Sequence, residues 1–594
     1  VSALDLRGFI NQLEACGQLA RVTTEVDPDQ DITIIQHRLL AEQGPAVLFE
    51  RVKGSPYRLV SNLYGTPARV EMAFGRHPGA IGEDLVRLAE RFMPPTISAV
   101  WTERRKLWKV AQARMRTVRR GPILEQCFSP ARLDLLPCLT CWPLDGGPFF
   151  TLPLVHTVDP RTGAGNLGIY RLQRYDATST GMHWQIEKGG GFHFQTAADR
   201  GESLPISVIL GGAPALTIAA ITPLPEGIDE RLLAALLMGH PLDVIKRSGT
   251  GHRIPANAEF VLEGSVTPGD MRQEGPFGDH LGHYSHSAPF PVFRVARMLA
   301  RKDAIYPATV VGKPPQEDYY IGEALQEMTL PLLKLIRPAI SDLWAYPETG
   351  FHPLAIAAVK ERYGQEALKH ALGLMGEGQL SLTKIMIVVD HDVNVRDFRQ
   401  VSHALWETLD ATHGLHLLAP TAQDTLDFTG PSMNTGSKLI LLGTRGHRPP
   451  LRQQPPPPPP HHSAVHAHIL AMVAVGEAFL VVQVPPDADK PAIREALAAH
   501  PATGQYLFHV LVSPDVPLND LRMILWGWFT RFDPLLDLHP TRREVVGNRL
   551  VLQFPIAIDA TWKPGYRQPV AFDPVHERRV NENWASYGIP EPKR

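Results

Sequence analysis

The chain has 594 residues, too many for one hydrophobic core, so about two to four domains are expected. Hydrophobic residues make up 44% and charged residues 20%, and the formal net charge is −2, so overall electrostatics favour neither nucleic acid nor an anionic membrane surface. Four cysteines are too few for a disulfide scaffold and fit a reducing, cytoplasmic setting, and no apolar run approaches the ~20 residues of a bilayer span, leaving at most peripheral membrane association.

Residues 1–120 read as an α/β lobe followed by a basic segment. Leu6, Phe9, Ile10 and Leu13 share one helical face that stops near Gly17. A strand over 19–26, a helix over 32–42 and strands over 46–50 and 58–62 follow. Between 103 and 120, Arg104, Arg105, Lys106, Lys109, Arg114, Arg116, Arg119 and Arg120 face a single acid, Glu103. With the global charge balanced, a solvated connecting helix is expected there and not a nucleic-acid surface.

Residues 121–315 carry short apolar runs at 152–158, 166–172, 206–210, 216–221, 259–263, 293–298 and 305–311, a density that predicts a barrel or closed sheet. One helix, over 228–238, interrupts them. Cys138 and Cys141 have C-x-x-C spacing, but no second pair accompanies them and Pro137 and Pro143 flank them, so packed thiols are expected. Residues 316–345 read as a helical connector. Over 346–450 β/α alternation returns, with strands at 355–359 and 384–389 and a helix at 395–409. Pro455–Pro460 predict a stiff, exposed linker over 451–465, with His461 and His462 in solvent. In the last segment, 466–594, Asp515-Val516-Pro517-Leu518-Asn519-Asp520-Leu521-Arg522 parallels the earlier Asp392-Val393-Asn394-Val395-Arg396-Asp397-Phe398-Arg399. Each copy follows a strand and opens an aromatic-rich helix, which predicts a duplicated β/α module.

Four stretches carry the chemistry. In Glu274-Gly275-Pro276-Phe277-Gly278-Asp279, glycine and proline force a turn between two carboxylates, a shape suited to proton transfer. Asn166-Leu167-Gly168-Ile169-Tyr170-Arg171 places an amide and a guanidinium at the ends of a strand-like run. In His183-Trp184-Gln185-Ile186-Glu187-Lys188-Gly189-Gly190-Gly191, the glycines allow close backbone approach to a phosphate and Lys188 supplies charge. Glu230 lies near the start of the 228–238 helix. Two other readings stay open here. Asp279, His280, His283 and His286 have the spacing of a zinc hydrolase, although hydrogen-bonded loop histidines are the plainer expectation. A non-catalytic assembly subunit built on the duplicated module is the other.

Together with Asp5-Leu6-Arg7, Gly17-Gln18-Leu19, Gly44-Pro45-Ala46, Asn62-Leu63-Tyr64-Gly65-Thr66-Pro67, Thr140-Cys141-Trp142-Pro143, residues 255–264, Gly312-Lys313-Pro314-Pro315 and Gly436-Ser437-Lys438, these stretches resemble the UbiD family of prenylated-FMN-dependent decarboxylases. The resemblance runs in order over residues 1–445. It implies an α+β multidomain chain: an N-terminal α/β lobe, a flavin-binding split β-barrel, a connecting helix and an α/β oligomerisation domain. Asn166, Glu187 and Glu230 are implied ligands of manganese or another divalent cation, with potassium as a further ion. Relatives often carry histidine at the position of Glu187; a glutamate oxygen also suits a hard cation, and His183 is the alternative ligand. Ile169, Tyr170, Arg171, His183, Trp184, Gln185, Lys188 and Gly189 are implied cofactor contacts. Arg171, Glu274 and Asp279 form the implied catalytic network. Asp279 is the proton donor, kept protonated by an ionised Glu274. The implied partners are an aromatic or α,β-unsaturated carboxylic acid, a flavin prenyltransferase and further copies of the chain, as dimer or hexamer. The substrate candidates include 4-hydroxy-3-polyprenylbenzoate of quinone biosynthesis.

Overall fold

Asp5 starts the first helix: its carboxylate accepts the Gly8 amide at 2.8 Å and caps α1 (Leu6–Ala15), whose Leu6, Phe9, Ile10 and Leu13 are buried. The computed structural model describes residues 2–92, 101–111, 113–185, 188–225, 227–445 and 449–589. Two compact units emerge, Val1–Met328 with Gln568–Arg594, and Thr329–Arg567. Among the described residues no helix is long and apolar enough to cross a membrane.

In the first unit α1 leads to β1 (Leu19–Val22), α2 (Asp31–Ala41), β2 (Ala46–Phe49) and β3 (Arg58–Ser61), as the sequence predicts. The basic segment is helical only over Arg104–Ala111; Met115–Thr117 is a strand, and Arg116 forms a bidentate pair with Asp243 at 2.6 and 2.8 Å. Then come β4 (Leu154–Val158), β5 (Gly165–Ile169), β6 (Ser179–Gly181), α3 (Gly189–Asp199), β7 (Leu204–Leu210), α4 (Pro214–Ile221), α5 (Glu230–Met238), β8 (Phe260–Glu274), β9 (Ala288–Ala300), β10 (Ile305–Pro307) and α6 (Glu317–Ile336). Strand β10 completes the first sheet by pairing parallel to β3.

The central seven-stranded sheet runs β6-β9-β8-β7-β4-β5, with Gln126–Phe128 against β9. Both of its faces are covered. Phe260 and Leu262 of β8 enter one apolar cluster with Val22, Ile32 and Val47, while Val261 enters another with Leu6 and Phe9. Two expectations need correction. The sheet is an open path and does not close; strand density says nothing about edge pairing, which closure requires. Residues 216–221 are helical, not a strand. Proline sits at the start of α4 and its residues 214–219 are all buried, so the run lacks the one-sided pattern that would separate helix from strand. Pro268-Gly269-Asp270, a stretch of turn-favouring residues, lies inside β8 at a break in register between Val266 and Met271. Cys138 and Cys141 are free and buried, and burial pushes the Cys138 thiol up to about 11.

The second unit holds two five-stranded sheets. In space the first runs Ile340–Ala345, Leu354–Val359, Ile385–Asp390, Thr435–Gly443, Leu415–Ala422; the second runs Ala471–Val475, Phe479–Gln483, Phe508–Val512, Arg549–Ala560, Leu538–Val546. In each, two antiparallel edges flank a parallel centre. Helices α7 (Phe398–Thr408) and α8 (Leu521–Phe529) are capped by Asp397 and Asp520, which occupy equivalent places in the two similar motifs. Ile356, Ile387, Phe479 and Val510 from the two sheets meet Phe398 and Trp528 in one cluster. Phe479 lies 4.8 Å from Trp528, ring to ring. Asp533 takes the Ser437 amide at 3.0 Å and hydroxyl at 2.6 Å, and a side chain at Gly436 would strike Gln423. The proline run is exposed to half-buried along its length, and Tyr506 anchors it by donating its hydroxyl to the Pro457 carbonyl at 3.0 Å.

Trp528 is 1% exposed at the centre of that cluster. Trp528→Ala is expected to destabilise the chain by about 3–5 kcal/mol in urea unfolding. A loss within experimental error would contradict the shared core.

Candidate active site

Strand β8 ends on Glu274, and Gly275 follows at φ 85°, a left-handed conformation that glycine adopts without strain. The Gly275 amide donates to Gln173 Oε1 at 2.8 Å, and Gln173 Nε2 donates to Gly146 O at 2.6 Å. Asp145 grips the next part of the turn. Its Oδ1 accepts the Gly278 amide at 2.8 Å, and its Oδ2 accepts the Cys141 and Trp142 amides, both at 2.9 Å. The Ser285 hydroxyl accepts the Phe277 amide at 3.2 Å. The turn thus has a defined shape, set by side chains far away in sequence.

Arg171, two residues beyond β5, meets both acids of the turn. Its Nε and Nη2 donate to Glu274 at 2.9 and 3.0 Å, its Nη1 donates to Asp279, and Nη2 also reaches Ser285 Oγ at 3.0 Å. Glu274 is fully buried, and His183 Nδ1 lies 3.3 Å from its Oε2. Burial pushes both carboxyls up, but the Arg171 charge outweighs it, with His183 aiding at Glu274 and His280 at Asp279; both fall to about 2. The expectation that Asp279 stays protonated is therefore corrected: both acids are ionised because one guanidinium serves both. Burial also holds His183 below its usual range.

A second cluster lies along β5. Glu230, the first residue of α5, accepts the Leu167 amide at 2.7 Å, and Tyr170 accepts the Gly190 amide at 2.9 Å. A Cβ at Gly189 would stand 2.2 Å from Asn166 Oδ1, so only glycine lets these chains approach. The glycine run, expected from sequence to allow close backbone approach, forms the first turn of α3, with Lys188 at the N-cap. A lysine there opposes the helix dipole, and an anion beside it would relieve the conflict. Asn166 Nδ2, His183 Nε2 and Trp184 Nε1 are buried and have no hydrogen-bond partner among the described residues. These orphaned atoms, the helix start and the close glycine fit a phosphate-bearing flavin. Burial pushes Glu230 up to about 7, and a hard cation would favour its ionised form, so Asn166 and Glu230 fit a divalent cation as well. Ile169 and Gln185 are half-buried beside them. Glu187 lies outside the described residues.

The histidine cluster does not form a metal centre. Among the described residues, no group of three His, Cys, Asp or Glu side chains could hold a metal ion. His280 Nδ1 faces Asp279 at 3.0 Å and His283 Nδ1 faces the Leu281 carbonyl at 3.0 Å. Asp145, Gln173 and Ser285 escape sequence reasoning. Asp145 had one available signal, its place three residues after the matching Trp142.

The N-terminal domain of the 3-octaprenyl-4-hydroxybenzoate carboxy-lyase (UbiD) family matches residues 10–89, its Rift-related domain 116–314 and its C-terminal domain 319–443. Over 586 residues the chain is 39% identical to a 4-hydroxybenzoate decarboxylase subunit from Chlamydia pneumoniae, covering 98% of each. The closed form of vanillic acid decarboxylase from Sedimentibacter hydroxybenzoicus is 26% identical with a TM-score of 0.67, over 78% of this chain and 98% of that one. The UbiD-class enzyme HmfF from Pelotomaculum thermopropionicum, in complex with FMN, is 25% identical with a TM-score of 0.62, over 76% and 95%. The arginine that joins two acids thus sits in a chain that belongs to the UbiD family of decarboxylases.

Proposed function

We propose that the chain carries out non-oxidative, reversible decarboxylation of a 4-hydroxylated benzoate with prenylated FMN and a divalent cation, manganese first. The Arg171 fork across Glu274 and Asp279 carries this reading. The substrate class is supported by the 4-hydroxybenzoate named for one relative, and it includes 4-hydroxy-3-polyprenylbenzoate of quinone biosynthesis. Asn166, Glu187 and Glu230 are the proposed cation ligands. Ile169, Tyr170, Arg171, His183, Trp184, Gln185, Lys188 and Gly189 are the proposed cofactor contacts, spread over the end of β5, the loop after β6 and the start of α3. A flavin prenyltransferase supplies the cofactor. The two sheets of the second unit are read as copies of one module, and exposed Val545, Val546 and Leu550 support assembly into a homo-oligomer.

Loss of CO₂ from an sp² carbon leaves an electron pair that no side chain can delocalise, and the bound prenylated flavin supplies that electron sink. The protein's own part concerns charge and a proton. Arg171 orients the substrate carboxylate. As that anion approaches, it competes with Asp279 for the guanidinium. Asp279, buried and less well paired, then gains affinity for a proton. The protonated acid delivers it to the ring carbon vacated by CO₂, so ArCOO⁻ and H⁺ become ArH and CO₂. Glu274 stays ionised through its two bonds to Arg171 and keeps the guanidinium in place.

Asp279→Asn should lower decarboxylation of a hydroxybenzoate panel by about 10²–10⁴-fold while visible absorbance shows flavin retained. Undiminished turnover would contradict the proton-donor role. A second expectation concerns pH. In the wild type, two carboxyls held at about 2 contribute stability above their unfolded range near pH 4, lost as pH falls toward 2. In Arg171→Met the main influence that lowers both carboxyls is gone, leaving only His183 and His280 against burial, so both carboxyls rise and the folded variant gains protons as pH falls. Urea unfolding should show a deficit of about 3–5 kcal/mol at pH 7 that shrinks by pH 4. A deficit equal at both pH values would contradict the charge assignment.

A further inference from the structure

The chain ends by returning to the first unit. After α8 and the second sheet, residues 568–572 lie along the outside of the Asp279 turn, and α9 (Pro574–Asn583) packs on α2. The Tyr284 amide donates to Gln568 O and the Val570 amide donates to Gly282 O, both at 3.0 Å, so His283 and Pro569 pair as an antiparallel bridge. Phe572 stacks on Trp142 with centroids 5.0 Å apart and planes within 20°. Trp142 in turn presses on the turn itself: a Cβ on Gly278, the residue before Asp279, would fall 2.1 Å from the indole. The segment is anchored at its far end. Arg579 forms a two-pronged pair with Asp31 at 2.8 and 2.6 Å, and Arg38 lies 3.9 Å over the Trp584 ring.

We propose that residues 568–589 are a positioning strap for the proton donor, with Phe572 acting on Asp279 through Trp142 and Gly278. Asp145, Gln173 and Ser285 hold the turn from within. The strap holds it from without, pairing backbone groups at 282 and 284 that flank the turn closed by the Asp279 and Gly282 amides. A strand pair and a stacked ring restrain the acid in position without touching substrate. The catalytic consequence rests on the decarboxylase reading above; the restraint itself does not.

The test uses the full-length chain loaded with prenylated flavin, in wild-type, Phe572→Ala and Phe572→Tyr forms. Amide hydrogen exchange over residues 278–286 should rise about tenfold in Phe572→Ala. Its kcat should fall about tenfold to a hundredfold with KM within about twofold, because a displaced acid slows the chemical step and not binding. Phe572→Tyr should restore both readouts. If Phe572→Ala does not fold, Arg579→Ala, which loosens the far anchor, is read by the same two measurements. Unchanged exchange over the turn overturns the strap. Faster exchange with unchanged kcat overturns its positioning role. A wild-type chain that loads flavin but decarboxylates nothing, with exchange still raised in the variant, overturns the decarboxylase reading and leaves the strap standing.

Discussion

A single buried guanidinium pairs with two buried carboxylates, and much of the first unit is arranged to make that tolerable. Removing an ion from water costs several kcal/mol even after relaxation, and the attraction recovers it only when geometry is good and the remaining polar atoms are bonded. Arg171 meets both conditions. Its fork lies flat against Glu274, its other arm takes Asp279, and Ser285 supplies a further acceptor. The triad still carries one net negative charge, since burial holds His183 toward its neutral form. A surplus anion in a closed space favours whichever event removes charge from the guanidinium's neighbourhood, and proton uptake by Asp279 is one.

That arrangement needs a rigid frame, because its members come from strands and turns about a hundred residues apart. Strand β5 brings Arg171 and β8 brings Glu274, both within one sheet whose faces are each packed in an apolar layer. The turn after β8 has no regular ladder to hold it, so Asp145 and Gln173 bond its amides instead. Burial pushes the Asp145 carboxyl up to about 7 against the pull of three backbone amides. Through those amides it fixes the backbone of the turn.

Local pattern made much of this legible. The buried face of α1, the first three strands, α7 and the repeated Asp-x-x-x-x-Asp-x-Arg motif all follow from spacing and capping, which act over a few residues. The glycine–proline turn between Glu274 and Asp279 announced a shaped site for the same reason. What sequence concealed depends on distant neighbours. Residues 214–219 are all buried, so periodicity could not distinguish helix from strand. Whether the central sheet closed depended on edges that no local run encodes. The ionisation of Asp279 was misjudged because Glu274 was weighed as its neighbour, whereas Arg171 touches both. Asp145 was missed because its partners are backbone amides, which leave no mark in sequence.

The most direct test is a crystal structure of the chain with prenylated FMN and manganese bound. The expected result places the phosphate at the start of α3, the cation on Asn166 and Glu230, and the ring system facing an intact Arg171–Glu274–Asp279 triad. A flavin bound elsewhere, or protein filling the space over Arg171, would contradict the proposed site.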